Sequence, residues 1–184
     1  MSIVVRPADP ERDAGAVAAI YAPAVTSSLA TFEEVAPDTA EMAARMHAVL
    51  ARAPWLVAES RSGAEGGTVV GYAYAGPHHD RPGYRWSVNV SVYVAGGHRG
   101  RGIGRALYDE LFELLRRQGF VNAYAGIALP NPASVALHEG IGMGRIGVYE
   151  RVGFKFGAWH DVVWYGLRLT DLEGQPAEPS PPRR

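Results

Sequence analysis

Hydrophobic positions along this chain switch between a two-residue and a helical period, and the switches mark out its elements. Ile3-Val4-Val5 reads as a first strand, and Val17, Ile20, Tyr21 and Ala24 form a stripe on a helix starting near Asp13. A second helix begins at Asp38-Thr39-Ala40-Glu41, where an acidic cap precedes a Glu by three residues, and Met42, Met46, Val49 and Leu50 form its apolar face. Trp55–Ala58 and Val69–Tyr74 then read as a hairpin about a turn at Gly63–Gly67. A strand over Trp86–Val94 leads to a third helix from near Arg105, with Leu107, Leu111, Leu114 and Leu115 on one face and Gly119 placed to end it. The strand Ala123–Leu129, a short fourth helix from near Pro132, and strands around Gly144–Glu150 and Trp159–Leu169 complete the order. Such an order predicts an α+β fold built on a mixed sheet.

Composition narrows the picture only modestly. With 184 residues, 47% of them hydrophobic, the chain suits one domain, expected over residues 1–172. Four of the 13 prolines fall in Gly174–Arg184, so residues 173–184 read as a disordered or loosely draped tail. A net charge of −1 argues against nucleic acid or an anionic membrane as the main partner. The absence of cysteine removes disulfides, thiol chemistry and thiolate metal sites. No apolar run approaches the roughly 20 residues of a membrane span, and a cytoplasmic location is expected.

The strongest chemical signal is Arg99-Gly100-Arg101-Gly102-Ile103-Gly104, set between a strand ending Ser91-Val92-Tyr93-Val94 and the third helix. A glycine-rich turn from strand to helix exposes unpaired N–H groups at the positive end of the helix dipole, which suits a phosphate. Its spacing fits neither the dinucleotide fingerprint nor a Walker motif. The pattern R-x-x-G-x-G resembles instead the pyrophosphate loop of the GNAT-type N-acyltransferases. That resemblance implies a mixed, mostly antiparallel sheet of about seven strands flanked by about four helices. It also implies acetyl-CoA as co-substrate, with its pyrophosphate on Arg99–Gly104 and Arg105 and its pantetheine arm along Val92, Tyr93 and Val94. The backbone N–H near Val94 would stabilise the oxyanion of a tetrahedral intermediate.

A second match lies at Asn131-Pro132-Ala133-Ser134, followed by Leu137-His138-Glu139. The family places an Asn at this helix start, near the CoA arm, and seven residues on a Tyr that protonates the departing thiolate; here His138 holds the Tyr position. Seven residues is about two helical turns, so Asn131 and His138 share a face. His138, together with Trp159-His160-Asp161-Val162, Trp55–Glu59 and Ala73–Pro77, resembles the phosphinothricin N-acetyltransferase subgroup. The resemblance implies a small glutamate- or methionine-like acid as acceptor, with Phe32, His79, Arg81 and Tyr84 at its contacts, and a homodimer, to whose interface Trp159, Trp164 and Tyr165 are assigned. Arg81 suits a carboxylate or phosphinate.

One position departs from the subgroup. Its general base is a Glu within Trp-x-Val-Glu, whereas this chain reads Trp86-Ser87-Val88-Asn89. An amide cannot take a proton at neutral pH. Three routes stay open: a water chain anchored by Asn89, His79 or Asp80 as base, or weak activity. Transfer to another primary amine and a non-catalytic acyl-CoA-binding module are the competing functions. His78-His79-Asp80 is not expected to hold a metal, because adjacent side chains diverge.

Overall fold

The computed structural model describes residues 2–61, 67–171, 174 and 176–182. Seven strands form one sheet: β1 (Ser2–Pro7), β2 (Trp55–Arg61), β3 (Thr68–Pro77), β4 (Ser87–Val94), β5 (Asn122–Ala128), β6 (Gly144–Lys155) and β7 (Ala158–Arg168), in the order β1-β2-β3-β4-β5-β7-β6. Four helices accompany it: α1 (Pro10–Ser27), α2 (Thr39–Leu50), α3 (Ile103–Gln118) and α4 (Pro132–Gly140). The fold is the α+β arrangement that the periodicity predicts. The strands β2 and β3 pair antiparallel as the expected hairpin, while residues 62–66 of its turn lie outside the described residues.

Helix α1 begins earlier than its apolar stripe suggests. Asp9 caps it by accepting from the Glu11 N–H at 3.0 Å, with Pro10 in the first turn. Asp13, the expected start, is buried instead and takes the Arg6 guanidinium in two bonds of 2.7 and 2.8 Å. At α2 the cap is as read, with Asp38 accepting from the Glu41 N–H at 2.8 Å. Helix α3 ends on Gly119 at φ 91°, a left-handed position that glycine adopts without strain.

The sheet separates two apolar clusters. On one face α3 sets Leu107, Leu111 and Leu115 against Val88, Val90, Ala123, Ala125 and Tyr165. On the other, Val17, Tyr21, Met42 and Met46 of α1 and α2 cover Trp55, Val57 and Tyr72.

One join in the sheet matters most. Strands β4 and β5 form its parallel pair, and they are in register only at Ser87↔Asn122, Val88↔Ala123 and Asn89↔Tyr124. Past that point β4 stays paired with β3 as far as Val94, and β5 with β7 as far as Ala128. The two strands therefore diverge, and a wedge opens between them. At the far end, the proline-bearing tail meets the domain: Trp86 Nε1 donates to Ala177 O at 2.7 Å, and Gln118 and Ser180 exchange bonds of 2.7 and 2.8 Å. Among the described residues no helix is long and apolar enough to cross a membrane.

Candidate active site

The wedge widens into a cleft of about 880 Å³. Its walls are the diverging halves of β4 and β5, the turn before α3, the start of α4 and residues 27–30 after α1. Of the residues expected to meet a CoA-like ligand, Val92, Tyr93, Val94, Arg99, Gly100, Gly102, Ile103, Gly104, Arg105, Asn131 and Ser134 all line it, as does His138; Arg101 does not.

The turn is shaped for an anion. Gly100 and Gly102 sit at φ 72° and 78°, and a Cβ at either would point into open space. Gly102 occupies the N-cap of α3 without a side-chain bond, so the first N–H groups of the helix face the cleft end uncapped. Gly104 serves packing: a Cβ there would come within 3.0 Å of Leu137, and its absence lets α3 and α4 approach. Arg99 Nε donates to Val94 O at 3.1 Å and Arg105 Nη1 to Gly140 O at 2.9 Å, which ties the turn to β4 and to the end of α4.

Along β4, the N–H of Ala95 donates to Val70 O at 2.9 Å. Antiparallel bonding alternates, so the N–H groups of Val92 and Val94 turn away from β3 and into the wedge. They offer two fixed donors along the floor of the cleft.

Asn131 caps α4, accepting from the Ser134 N–H at 3.1 Å, and this orients the turn that carries His138. His138 is 3% exposed. Its Nδ1 donates to Ser134 O at 2.7 Å, so the neutral ring presents Nε2 as an acceptor, and the Tyr108 hydroxyl donates to it at 3.0 Å. Burial lowers the His138 pKa, partly offset by the Ser134 carbonyl, and raises that of the Tyr108 phenol. Both nitrogens are thus engaged, and Tyr108 lines the cleft beside His138. Tyr108 stands on the apolar face of α3 beside Leu107, where the sequence pattern makes it core.

The acceptor side lies where β4 and β5 are still paired. Asn89 and Ser91 share a face of β4, and Ser91 lines the cleft. Asn89 Oδ1 sits 2.8 Å from His78 Nδ1, a partner the sequence did not point to. Around this pair stand Tyr84, whose ring centroid is 4.9 Å from that of His79, and Tyr124, at 4.5 Å from His78. Arg81 precedes and Tyr84 ends a short turn over Pro82–Tyr84, both exposed. Phe32 has its ring laid on Gly153 of β6, where a Cβ would overlap it. Lys155, 5% exposed, fixes that loop by donating to Ala24 O, Ser28 O and Thr31 O at 3.4, 3.0 and 2.7 Å. Burial lowers its pKa.

The aromatic residues assigned to an interface separate. Tyr165 is 2% exposed, packed in the α3 cluster with its hydroxyl on Glu139 at 2.8 Å, so it cannot meet a partner subunit. Trp164, on the opposite face, lies against Gly126 of β5. Only Trp159 is open, at 53%.

Residues 8–164 match the family described as an acetyltransferase (GNAT) domain. The chain belongs to the GNAT acetyltransferases. It is 44% identical to a phosphinothricin N-acetyltransferase of Streptomyces coelicolor, over 62% of this chain and 72% of the relative. A methionine sulfoximine/methionine sulfone acetyltransferase of Salmonella typhimurium is 36% identical, over 92% of this chain and 96% of that one. Among solved structures, a GNAT superfamily phosphinothricin acetyltransferase from Sinorhizobium meliloti in complex with AcCoA superposes with a TM-score of 0.89 at 34% identity, covering 97% of this chain and 95% of that one. In this acetyltransferase the splayed strands, the uncapped helix and the glycine turn line one cleft. Among the described residues no group of three His, Cys, Asp or Glu side chains stands ready for a metal ion.

Proposed function

We propose that this enzyme transfers the acetyl group of acetyl-CoA directly to the α-amine of a small anionic amino acid, of the phosphinothricin, methionine sulfoximine or methionine sulfone kind, within a ternary complex. The wedge between β4 and β5 carries the reading, since it runs from the anion turn to the face that holds Asn89. Gly100, Gly102 and the first N–H groups of α3 would hold the pyrophosphate. Val92 and Val94 N–H would take the donor amides and the developing oxyanion, and Val92, one ladder step nearer Asn89, is the better placed of the two for the latter.

At the sulfur, the Tyr108 hydroxyl would give up the proton, and His138, whose Nε2 accepts from that hydroxyl, would orient it, so that His138 acts through Tyr108. Arg81 would pair with the acid group of the acceptor, with Tyr84 and His79 beside it and Phe32 closing the site from the loop after α1. The exposed residues of β6, β7 and the turn between them, Ile146, Tyr149, Val152, Phe154, Phe156 and Trp159, would join two copies. An acetyl-CoA donor supports a cytoplasmic location for the enzyme.

Thiol release from acetyl-CoA tests the reading, with methionine sulfone, methionine sulfoximine, phosphinothricin, polyamines and aminoglycosides as acceptors. Turnover with the first three alone is expected. Turnover only with the others would move the substrate class. The amide at position 89 favours a second reading, an acyl-CoA-binding module, which tight CoA binding without thiol release from any acceptor would support.

A further inference from the structure

We infer that His78 is the general base of this enzyme, held in its working tautomer by Asn89; the inference rests on the amine-acetylating reading above. An α-amine arrives largely as an ammonium, which has no lone pair until it loses a proton. The Asn89 amide cannot accept that proton. It can, however, orient a group that does: its Oδ1 lies 2.8 Å from His78 Nδ1, so Nδ1 carries the hydrogen and donates it, and the lone pair falls on Nε2.

The ring is fixed on several sides. The His78 N–H donates to Ser87 O at 3.3 Å, which anchors the residue at the end of β3. Tyr124 of β5 lies at 4.5 Å between ring centroids and 32°, His79 at 4.6 Å and 71°, Tyr84 at 5.8 Å, and Trp164 of β7 at 6.3 Å and edge-on. The titratable neighbours are thus His79 and Tyr84 from the following loop and Tyr124 from β5; Asn89 and Trp164 are neutral. The pair stands next to cleft-lining positions without lining the cleft itself. Asn89 is two residues from Ser91, and Trp164 covers Gly126, both cleft-lining positions. By contrast His79 and Asp80 are exposed and have no bond to β4 that would fix a tautomer.

In the step itself, the α-ammonium passes one proton to His78 Nε2, and the freed lone pair attacks the thioester carbonyl carbon. A nitrogen–carbon bond forms, and the carbon–sulfur bond breaks as the nitrogen sheds its second proton to water. The thiolate gains a proton from Tyr108, the Tyr108 hydroxyl is refilled from solvent, and the His78 imidazolium releases its proton to water. One amide, one thiol and one proton result.

His78→Gln should lower kcat/KM for the amine about 10²- to 10⁴-fold at pH 7, the range of general-base loss, while the dissociation constant for acetyl-CoA stays within twofold. The wild-type profile should show an acid limb that is absent in His78→Gln. Combining His78→Phe with Asn89→Glu should return activity and shift that limb toward a carboxylate value near 4.3. Retention of wild-type rate and the same limb in His78→Gln overturns the inference. If the wild type acetylates some other amine, the substrate class is wrong and the same variants are read on that amine. Nitrogen-15 NMR of the histidines decides independently of turnover: a neutral Nδ1–H tautomer for His78 is expected, and an Nε2–H tautomer sinks the assignment.

Discussion

Two buried side chains, Tyr108 and His138, show how much a single residue's surroundings can decide. Had His138 been exposed, its imidazole could have protonated sulfur directly; with Nδ1 on Ser134 O, its remaining nitrogen is occupied by the Tyr108 hydroxyl. Tyr108→Phe should therefore lower kcat by about 10²-fold with the KM for acetyl-CoA unchanged, in steady-state assays. Burial also sets a pH dependence of stability. The folded His138 pKa lies below the unfolded value of about 6.5, so the unfolded chain binds the extra proton first. This contribution is complete above pH 6.5 and is lost as pH falls from there toward the folded value. Denaturant titrations at pH 7.5 and 5.5 should show a smaller acid loss for His138→Gln than for the wild type.

Among elements, those fixed by nearby residues were legible and those fixed across the fold were not. The Asp38 and Asn131 caps, the glycine turn and the apolar stripe of α3 all act within a few residues, so periodicity and spacing located them. The Asn89–His78 bond joins two strands, and Lys155 reaches back 131 positions to Ala24; no local pattern encodes either. Reading Trp164 and Tyr165 as one interface overlooked strand alternation, which sends neighbouring side chains to opposite faces. Lys155 is the brace of the loop that carries Phe32. Lys155→Met should strand three carbonyls, cost about 1–3 kcal/mol in denaturant titrations and raise the KM for the amine more than that for acetyl-CoA.

For the whole molecule, the outer hairpin of β6 and β7 is where assembly would be decided. Phe154 stacks edge-on with Trp159 at 5.4 Å, and Phe156, 61% exposed, reaches from the same hairpin to the cleft wall. A partner covering this strip would also press on the cleft rim. Trp159→Glu should convert a dimer to a monomer in light scattering. A wild type that is already monomeric would remove the assignment.

The divergence of β4 from β5 has one more consequence, for the energetics of folding. Over Val90–Val94 the sheet is incomplete, with backbone donors on one side that no strand answers. An extended amide-bearing ligand laid there behaves as a guest strand, and part of the sheet's cohesion is borrowed from it. Hydrogen exchange at the Val92 and Val94 amides should be fast in the free enzyme and slow with acetyl-CoA bound. At a ligand concentration of 100 times Kd, the stability should rise by about 2.7 kcal/mol. The enzyme's most ordered state would then be the loaded one, and substrate depletion would register as a softer protein.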